Sequence, residues 1–156
     1  MKRRAHALRV VLAGAALLAS GGAWSASFDC ARASTAVEQR LCAVKALGLL
    51  DERLDASYQE LLQTTPRSAV AAVREQQRAW LRQRNACAQN ATPDDCLQRS
   101  LSARADALDT ALAAQQQALD RIIASIPSAP AAAARQLQAY DTPLASAWLV
   151  YLHQFV

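Results

Sequence analysis

Apolar residues recur every three or four positions along most of the chain, which is the period of an amphipathic helix. The clearest row has spacings of 3, 4, 4 and 3 and consists of Leu47, Leu50, Leu54, Tyr58 and Leu61. The sequence has no strand-like alternation of any length, and Gly48 is the only glycine after residue 25. Because tight hairpins depend on glycine, the pattern predicts helices rather than a sheet.

Start and stop signals divide this pattern into segments. Thr35 is followed three residues later by Glu38, which is the spacing of a capping box, and this pair predicts the start of a short first helix. The row from Leu47 predicts a second helix that ends near Pro66, since a residue before proline avoids the helical region. Ser68 is the expected N-cap of a third helix.

A fourth helix is predicted from Asp94 to Ile126. Thr92 is its expected N-cap, Pro93 suits the first helical position, and Asp94 and Asp95 lie where the helix dipole favours negative charge. At 1.5 Å per residue this helix is roughly 50 Å long. It is longer than its neighbours, so its last two turns are expected to project beyond the bundle.

The third helix contains Val73, Trp80 and Cys87 at seven-residue intervals, which places them on one face. We therefore predict that Trp80 is a core residue. The sequence predicts an all-α fold, a small disulfide-stapled bundle of about four helices with a short C-terminal helical extension.

Proline residues at 127 and 130 mark a boundary, and Asp141-Thr142-Pro143 signals another helix start. The predicted organisation is a signal peptide over 1–25, a helical domain over 26–126 and a helical extension over 127–156. The final helix is expected to dock on the bundle, with a partner-binding or membrane-surface segment as the alternative. The sequence stops at Val156 without a capping signal, and one interpretation is that the extension is a truncated copy of something longer.

Residues 1–25 have the pattern of a secretory signal, with a basic start, an apolar stretch and small residues before a cleavage point after Ser25. The whole sequence has 17 Lys and Arg against 13 Asp and Glu, a net charge of +4. Four basic residues and no acidic one precede residue 26, so the mature chain has 13 of each. We expect a periplasmic or secreted protein with no transmembrane segment in its mature chain, and net neutrality removes the main support for nucleic-acid binding.

All four cysteines, Cys30, Cys42, Cys87 and Cys96, lie after the predicted cleavage point. An even number of cysteines in an exported chain favours disulfides over zinc ligands. Their spacings also lack the close pairs of structural zinc sites, so no metal site is expected. Local pairing, Cys30 with Cys42 and Cys87 with Cys96, is the favoured one of three connectivities because each pair brackets a turn.

The sequence offers no constellation for catalysis and no cofactor motif, so we expect a protein that is not an enzyme. His153 stands in an apolar tail and is interpreted as packed or solvent-facing. Asp51, Glu52 and Asp55 form an acidic cluster, interpreted as a solvated or ion-paired face rather than an acid–base pair.

One charged pattern remains on the third helix. Arg74, Arg78 and Arg82 are spaced four residues apart, and like charges at this spacing repel each other. One interpretation is that Glu75 and carboxylates of neighbouring helices offset them. The other is that they form a docking face for an acidic cleft, and on this interpretation the partner-binding candidates are Arg78, Arg82 and Arg84.

The cysteine frame and the helix between its two halves resemble the N-terminal domain of the LprI-like lysozyme inhibitor family over about residues 28–110. The matching segments are Phe28-Asp29-Cys30, Ser34 to Cys42, Leu50-Asp51 with Leu54 and Tyr58, Glu75 to Cys87 with its Gln-x-Arg-x-Trp-Leu core, and Cys96-Leu97. The resemblance implies an exported, disulfide-stapled helical domain and a protein partner, lysozyme. It implies no particular inhibitory residues.

Two functions follow as hypotheses. The first is an envelope protein that binds and inhibits lysozyme-type peptidoglycan hydrolases, and the second is a structural or interaction module of the envelope without lysozyme affinity. Neither requires a cofactor, and the sequence does not indicate an oligomeric state.

Overall fold

A computed structural model describes residues 26–155 of the chain. Its α-helices are α1 Ala36–Ala43, α2 Lys45–Thr64, α3 Val70–Asn85, α4 Pro93–Ala124, α5 Pro130–Leu137 and α6 Pro143–Phe155. Two short 3-10 turns, Cys30–Arg32 and Ala86–Gln89, precede α1 and α4. Residues 26–155 contain no strand, which confirms the all-α class. The predicted signal peptide, residues 1–25, lies outside the described residues.

The main core lies between α2 and α4, with α1 and the turn before α4 against its end. The apolar row of α2 faces this core as predicted, since Leu47, Leu54 and Leu61 are buried and the other two members are half-buried. α4 contributes Leu97, Leu101, Ala105 and Leu108. Burying a leucine side chain fully stabilises the fold by about 1.5–3 kcal/mol, so this layer is the principal source of stability.

The capping box at the start of α1 is present. Thr35 Oγ1 accepts a hydrogen bond from the Glu38 backbone N–H at 3.2 Å, and Glu38 Oε2 accepts one from the Thr35 N–H at 2.9 Å. Glu38 Oε2 also accepts from the Ser34 N–H at 2.8 Å. The backbone donors of Thr35 and Ser34 favour the ionised carboxylate and lower the pKa of Glu38 to about 2.

The other two expected caps differ from the prediction. The predicted cap Ser68 is wrong, because residues 66–69 form a turn that leads directly into α3, and Ala69 is the N-cap. Thr92 does stand at the N-cap of α4, but its side chain makes no capping bond. Its N–H instead donates to Asn90 Oδ1 at 3.2 Å, so the loop before α4 satisfies that group locally.

Two disulfides fix the two ends of the main core. Cys30 is bonded to Cys42 and Cys87 to Cys96, which is the local pairing expected from the sequence. The first holds the entry segment on α1, and the second joins the 3-10 turn after α3 to the start of α4. Arg40 of α1 adds an ion pair to Asp94 of α4 at 2.6 Å.

A second apolar cluster surrounds the last turns of α4, which extend past the main core as predicted. It contains Leu119, Ile126, Ala133, Leu137, Tyr140, Ala145 and Leu152. The final helix is docked on the fold as expected, but α6 packs with α5 on the projecting end of α4 rather than on the main core. Arg67, before α3, links the two parts: its backbone N–H donates to Ala139 O at 2.8 Å, and its side chain bonds Gln138 O and Asp141.

Within residues 26–155, no helix combines the length and hydropathy needed to cross a membrane.

Candidate functional site

A cleft of about 490 Å³ opens between α2 and α3. Its α2 wall contains Asp51, Leu54, Asp55 and Tyr58, and its α3 wall contains Arg74, Gln77, Arg78, Trp80, Leu81 and Arg84. Ser27 and Phe28 of the entry segment and Glu38 of α1 complete the lining. The volume lies within the roughly 300–1,000 Å³ range of small-molecule sites, so the cleft can hold a ligand or a partner side chain.

Asp51 anchors one end of this cleft. Its side chain is only 6% exposed, and Oδ2 accepts hydrogen bonds from Ser27, at 3.0 Å from the backbone N and 2.7 Å from Oγ. Its other oxygen, Oδ1, lies 3.7 Å from Arg84 Nη1. The carboxylate thus ties the entry segment to both walls. The interpretation of Asp51 as ion-paired is confirmed, but the residue is buried rather than on a solvated face.

Arg84 is the second half of this anchor. Its side chain is 11% exposed, and its guanidinium carbon lies 5.4 Å from the centroid of the Trp80 ring, within reach of a cation–π contact. Its Nη2 also donates to Asn85 Oδ1 at 3.0 Å. Burial lowers the pKa of Arg84, while the charges of Asp51 and Glu38 oppose that change. Arg84 therefore acts on the site by holding Trp80 in place.

Trp80 is half-buried and lines the cleft, so the prediction of a core tryptophan is wrong in part. It does pack against the main core, as does Val73, while Cys87 at the end of the row is buried. The physical reason is that the opposing surface at Trp80 is an open cleft rather than another helix. Its ring is consequently part of the cleft wall.

Gln77 is the only buried residue of α3 itself. Its Oε1 accepts a hydrogen bond from Arg104 Nε of α4 at 3.0 Å, which joins the two helices through polar side chains. Burial lowers the pKa of Arg104. α3 thus contacts the main core through half-buried side chains such as Val73 and Trp80, and is otherwise fixed by polar contacts and the disulfide that follows it, which leaves the cleft open.

An exposed arginine face lies along α3 and comprises Arg74, Arg78 and Arg82. Arg78 Nη2 lies 2.6 Å from Glu75 Oε2, and Arg82 Nη2 lies 3.4 Å from Glu75 Oε1. The hydrogen bonds from Arg78 and then Arg82 lower the pKa of Glu75. Arg74 has no ion pair within residues 26–155. Glu75 therefore offsets Arg78 and Arg82 but not Arg74, and no carboxylate of a neighbouring helix pairs with the three arginines within that range, so the first interpretation holds in part.

The structure separates the three arginines proposed as partner-binding residues. Arg78 and Arg82 lie side by side on the arginine face, while Arg84 turns into the fold against Asp51 and Trp80. Sequence reasoning missed the burial of Asp51, although a signal exists: it lies four residues after Leu47 and three before Leu54, on the apolar face of α2. Arg84 carries a similar signal, four residues after Trp80.

His153 is exposed on α6. In residues 26–155, no group of three or more His, Cys, Asp or Glu side chains is arranged to hold a metal ion. A second concavity with charged walls is a groove on α4 lined by Asp95, Arg99 and Asp106, which lacks aromatic side chains.

Comparisons with known proteins concern the N-terminal part of the described fold, up to the middle of α4. The sequence model described as "Lysozyme inhibitor LprI" matches residues 29–108, which are 80 of the 156 residues. Proteins named Lipoprotein LprI from Mycobacterium bovis and from two strains of Mycobacterium tuberculosis are 36% identical over 78 residues. That segment is 50% of this chain but 38% of the length of each relative. No solved structure matches the chain.

Proposed function

Because the chain belongs to the lysozyme inhibitor LprI family, we propose that it is exported to the bacterial envelope and inhibits lysozyme-type peptidoglycan hydrolases by binding them. The observation that carries this proposal is the family match itself, which runs from the entry segment to the middle of α4 and includes both disulfides. The family is one of inhibitors, which supports a binding protein rather than an enzyme. The match covers 38% of the length of the curated relatives, so the activity of those whole proteins is not assigned to this chain by similarity alone.

The arginine face is the part of the matched region that suits such a partner. Retaining glycosidases of the lysozyme type place two carboxyl groups in a sugar-binding cleft. Guanidinium groups pair with carboxylates through directional hydrogen bonds, so exposed arginines on a rigid helix can occupy a cleft of this kind. Arg78 and Arg82 are the proposed contacts, and Arg84 is the residue that keeps this end of α3 in place.

The attraction expected from this face is local. The predicted mature chain has equal numbers of acidic and basic residues, so steering toward the partner depends on the three arginines rather than on net charge. Glu75 already pairs with Arg78 and Arg82, which favours a second candidate: an interaction module of the envelope without lysozyme affinity. The two candidates differ in whether a lysozyme is inhibited at all.

The experiment measures clearing of a peptidoglycan suspension by a purified lysozyme with increasing amounts of this protein. We expect inhibition, and we expect the Arg78→Gln/Arg82→Gln variant to associate about three- to tenfold more slowly at low salt, because rim charges act mainly on the association rate. The difference should shrink as salt rises, since screening at 0.15 M acts over about 8 Å.

The matched control is Arg99→Gln/Arg121→Gln, which removes two exposed arginines from α4 instead of α3. It should inhibit like the unaltered protein. Equal loss in the two double variants would show that net charge, and not the arginine face, is responsible. A protein that inhibits no lysozyme at micromolar concentration would establish the interaction module in place of the inhibitor.

A further inference from the structure

Two charged residues on facing walls of the α2–α3 cleft, Asp55 and Arg74, are not ion-paired with each other or with another side chain within residues 26–155. Among residues 26–155, Asp55 on the α2 wall accepts a hydrogen bond only from Gln59, a neutral neighbour on its own helix, at 3.1 Å. Arg74 on the α3 wall makes no ion pair within residues 26–155. Both line the same cleft, yet no carboxylate oxygen and guanidinium nitrogen of this pair approach within 4 Å. An open site thus keeps one anion and one cation available on facing helices.

The remaining polar groups of the cleft are already engaged. Asp51 is bound by Ser27 and Arg84, and Gln77 accepts from Arg104. Glu38 is held by the capping box, and Arg78 pairs with Glu75. These contacts make the walls rigid, so the site is organised before a ligand arrives. The groups left to recognise a ligand are Asp55, Arg74 and half-buried aromatic side chains, among them Tyr58 and Trp80.

We infer that this cleft is a binding site for a short peptide that carries both an ammonium and a carboxylate group. The ammonium pairs with Asp55, the carboxylate accepts a bidentate hydrogen bond from Arg74, and the chain between them packs on Tyr58 and Trp80. A neutral sugar, the other ligand that aromatic walls suit, requires no opposite charges on facing walls. The inference does not rest on lysozyme inhibition, because its recognising groups are Asp55 and Arg74, whereas the proposed lysozyme contacts are Arg78 and Arg82. Arg74 does belong to the same arginine face, and Arg78 also lines the cleft but pairs with Glu75.

The test follows the indole N–H resonance of Trp80 by NMR while trialanine is added to the purified protein. Trp148, on α6, reports in the same spectrum as an internal control. We expect the Trp80 signal to shift with saturation and the Trp148 signal to stay. Acetylating the peptide N-terminus or amidating its C-terminus should each weaken binding about three- to tenfold, because each removes one charge-assisted contact. Dialanine and tetraalanine then show which length spans the walls.

Substitutions provide the second arm. Asp55→Asn and Arg74→Gln should each weaken trialanine binding by a similar factor, and each should abolish the effect of capping the corresponding end of the peptide. Asp95→Asn and Arg99→Gln remove an equivalent acidic and basic residue from the groove on α4 and should change nothing.

Three outcomes would overturn the inference. Chitotetraose that shifts Trp80 when trialanine does not would make the cleft a sugar site. Capped peptides that bind as well as free ones would locate recognition in an internal segment of a chain rather than in its termini. Saturation by neither ligand at tens of millimolar would show that the cleft takes no small polar ligand. The capping arm uses only the unaltered protein, so the inference stays testable even if a variant folds poorly.

Discussion

The two apolar clusters of this molecule are built by different means. The main core, between α1, α2 and α4, is closed by two disulfides and borders on buried or half-buried polar contacts of Asp51, Arg84 and Gln77. The second cluster, around the end of α4, contains no disulfide and consists of packed aliphatic and aromatic side chains from α4, α5 and α6. Only the first lies in the family-matched residues 29–108.

This difference shows which part of the fold is organised around a site. Buried polar contacts contribute little net stability compared with apolar packing of similar volume, but they define geometry. In the main core they hold the walls of the α2–α3 cleft at a fixed position. In the second cluster Thr142 Oγ1 accepts from the Ala145 N–H at 2.9 Å, a contact within the first turn of α6 that joins no two helices. The second region therefore extends the fold rather than shaping the site.

The largest effects are expected from cavities in the two cores. Leu101 and Leu137 are both fully buried, one in each cluster. Leu101→Ala and Leu137→Ala should each cost about 2–5 kcal/mol through lost packing and a residual cavity. Hydrogen exchange should rise throughout the protein for Leu101→Ala but mainly in α5 and α6 for Leu137→Ala. Equal exchange in α2 for both variants would show that the two clusters form one cooperative unit.

Removing the disulfides should destabilise the protein somewhat less than the core cavities do, and the effect should be confined to the first region. Replacing Cys30 and Cys42 together by serine, or Cys87 and Cys96 together, should lower the free energy of unfolding by about 3 kcal/mol per bridge, because each closed loop restricts the unfolded chain. Urea denaturation measures this. For the Cys30/Cys42 variant, a rise in hydrogen exchange at α1 without a rise at α6 would support the separation of the two clusters. A free energy of unfolding that neither double substitution changes would contradict a stabilising role for the disulfides.

Acid should act on the first region through the cap of α1, and this is the smallest of the three effects. The folded pKa of Glu38, about 2, lies below its ordinary value of 4.5, so its contribution is present above pH 4.5 and is lost as pH falls toward 2. Urea midpoints from pH 6 to pH 2 should therefore fall more steeply for the unaltered protein than for Glu38→Gln. Parallel curves would mean that the capping carboxylate contributes nothing. Thr142, the uncharged cap of α6, gives Thr142→Ala as a variant whose effect should not depend on pH.

Local rules account for the parts of the fold that the sequence predicts well. The capping box at Thr35, the helix start at Pro93 and the disulfide pairing all depend on residues within about a dozen positions of each other. The apolar row of α2 is equally local, because a regular period identifies one face of a helix whatever that face contacts. These local signals were enough to predict the all-α fold class and most of the helix starts and ends.

The candidate site depended on contacts that no local rule contains. Asp51 meets Ser27 across 24 positions, and Arg104 meets Gln77 across 27. The period of α3 placed Trp80 correctly on the inner face, but the gap opposite it follows from how far α2 stands from α3. The role of Arg84 was missed for the same reason, because a guanidinium on a helix is assigned to solvent until a buried carboxylate is known to face it.

The length of α4 has a further, rotational consequence. Between Leu108 of the first cluster and Leu119 of the second, none of its residues is fully buried, and this stretch spans about 16 Å. Each helical residue rotates the chain by about 100° around the helix axis. The length of this stretch therefore sets the direction in which α5 and α6 leave α4, as well as their distance from the main core. One residue inserted after Gln116 would swing them by about a quarter of a turn and carry Asp141 away from Arg67. The middle of α4, which contributes only half-buried side chains such as Leu112 to the core, thus fixes the orientation of α5 and α6.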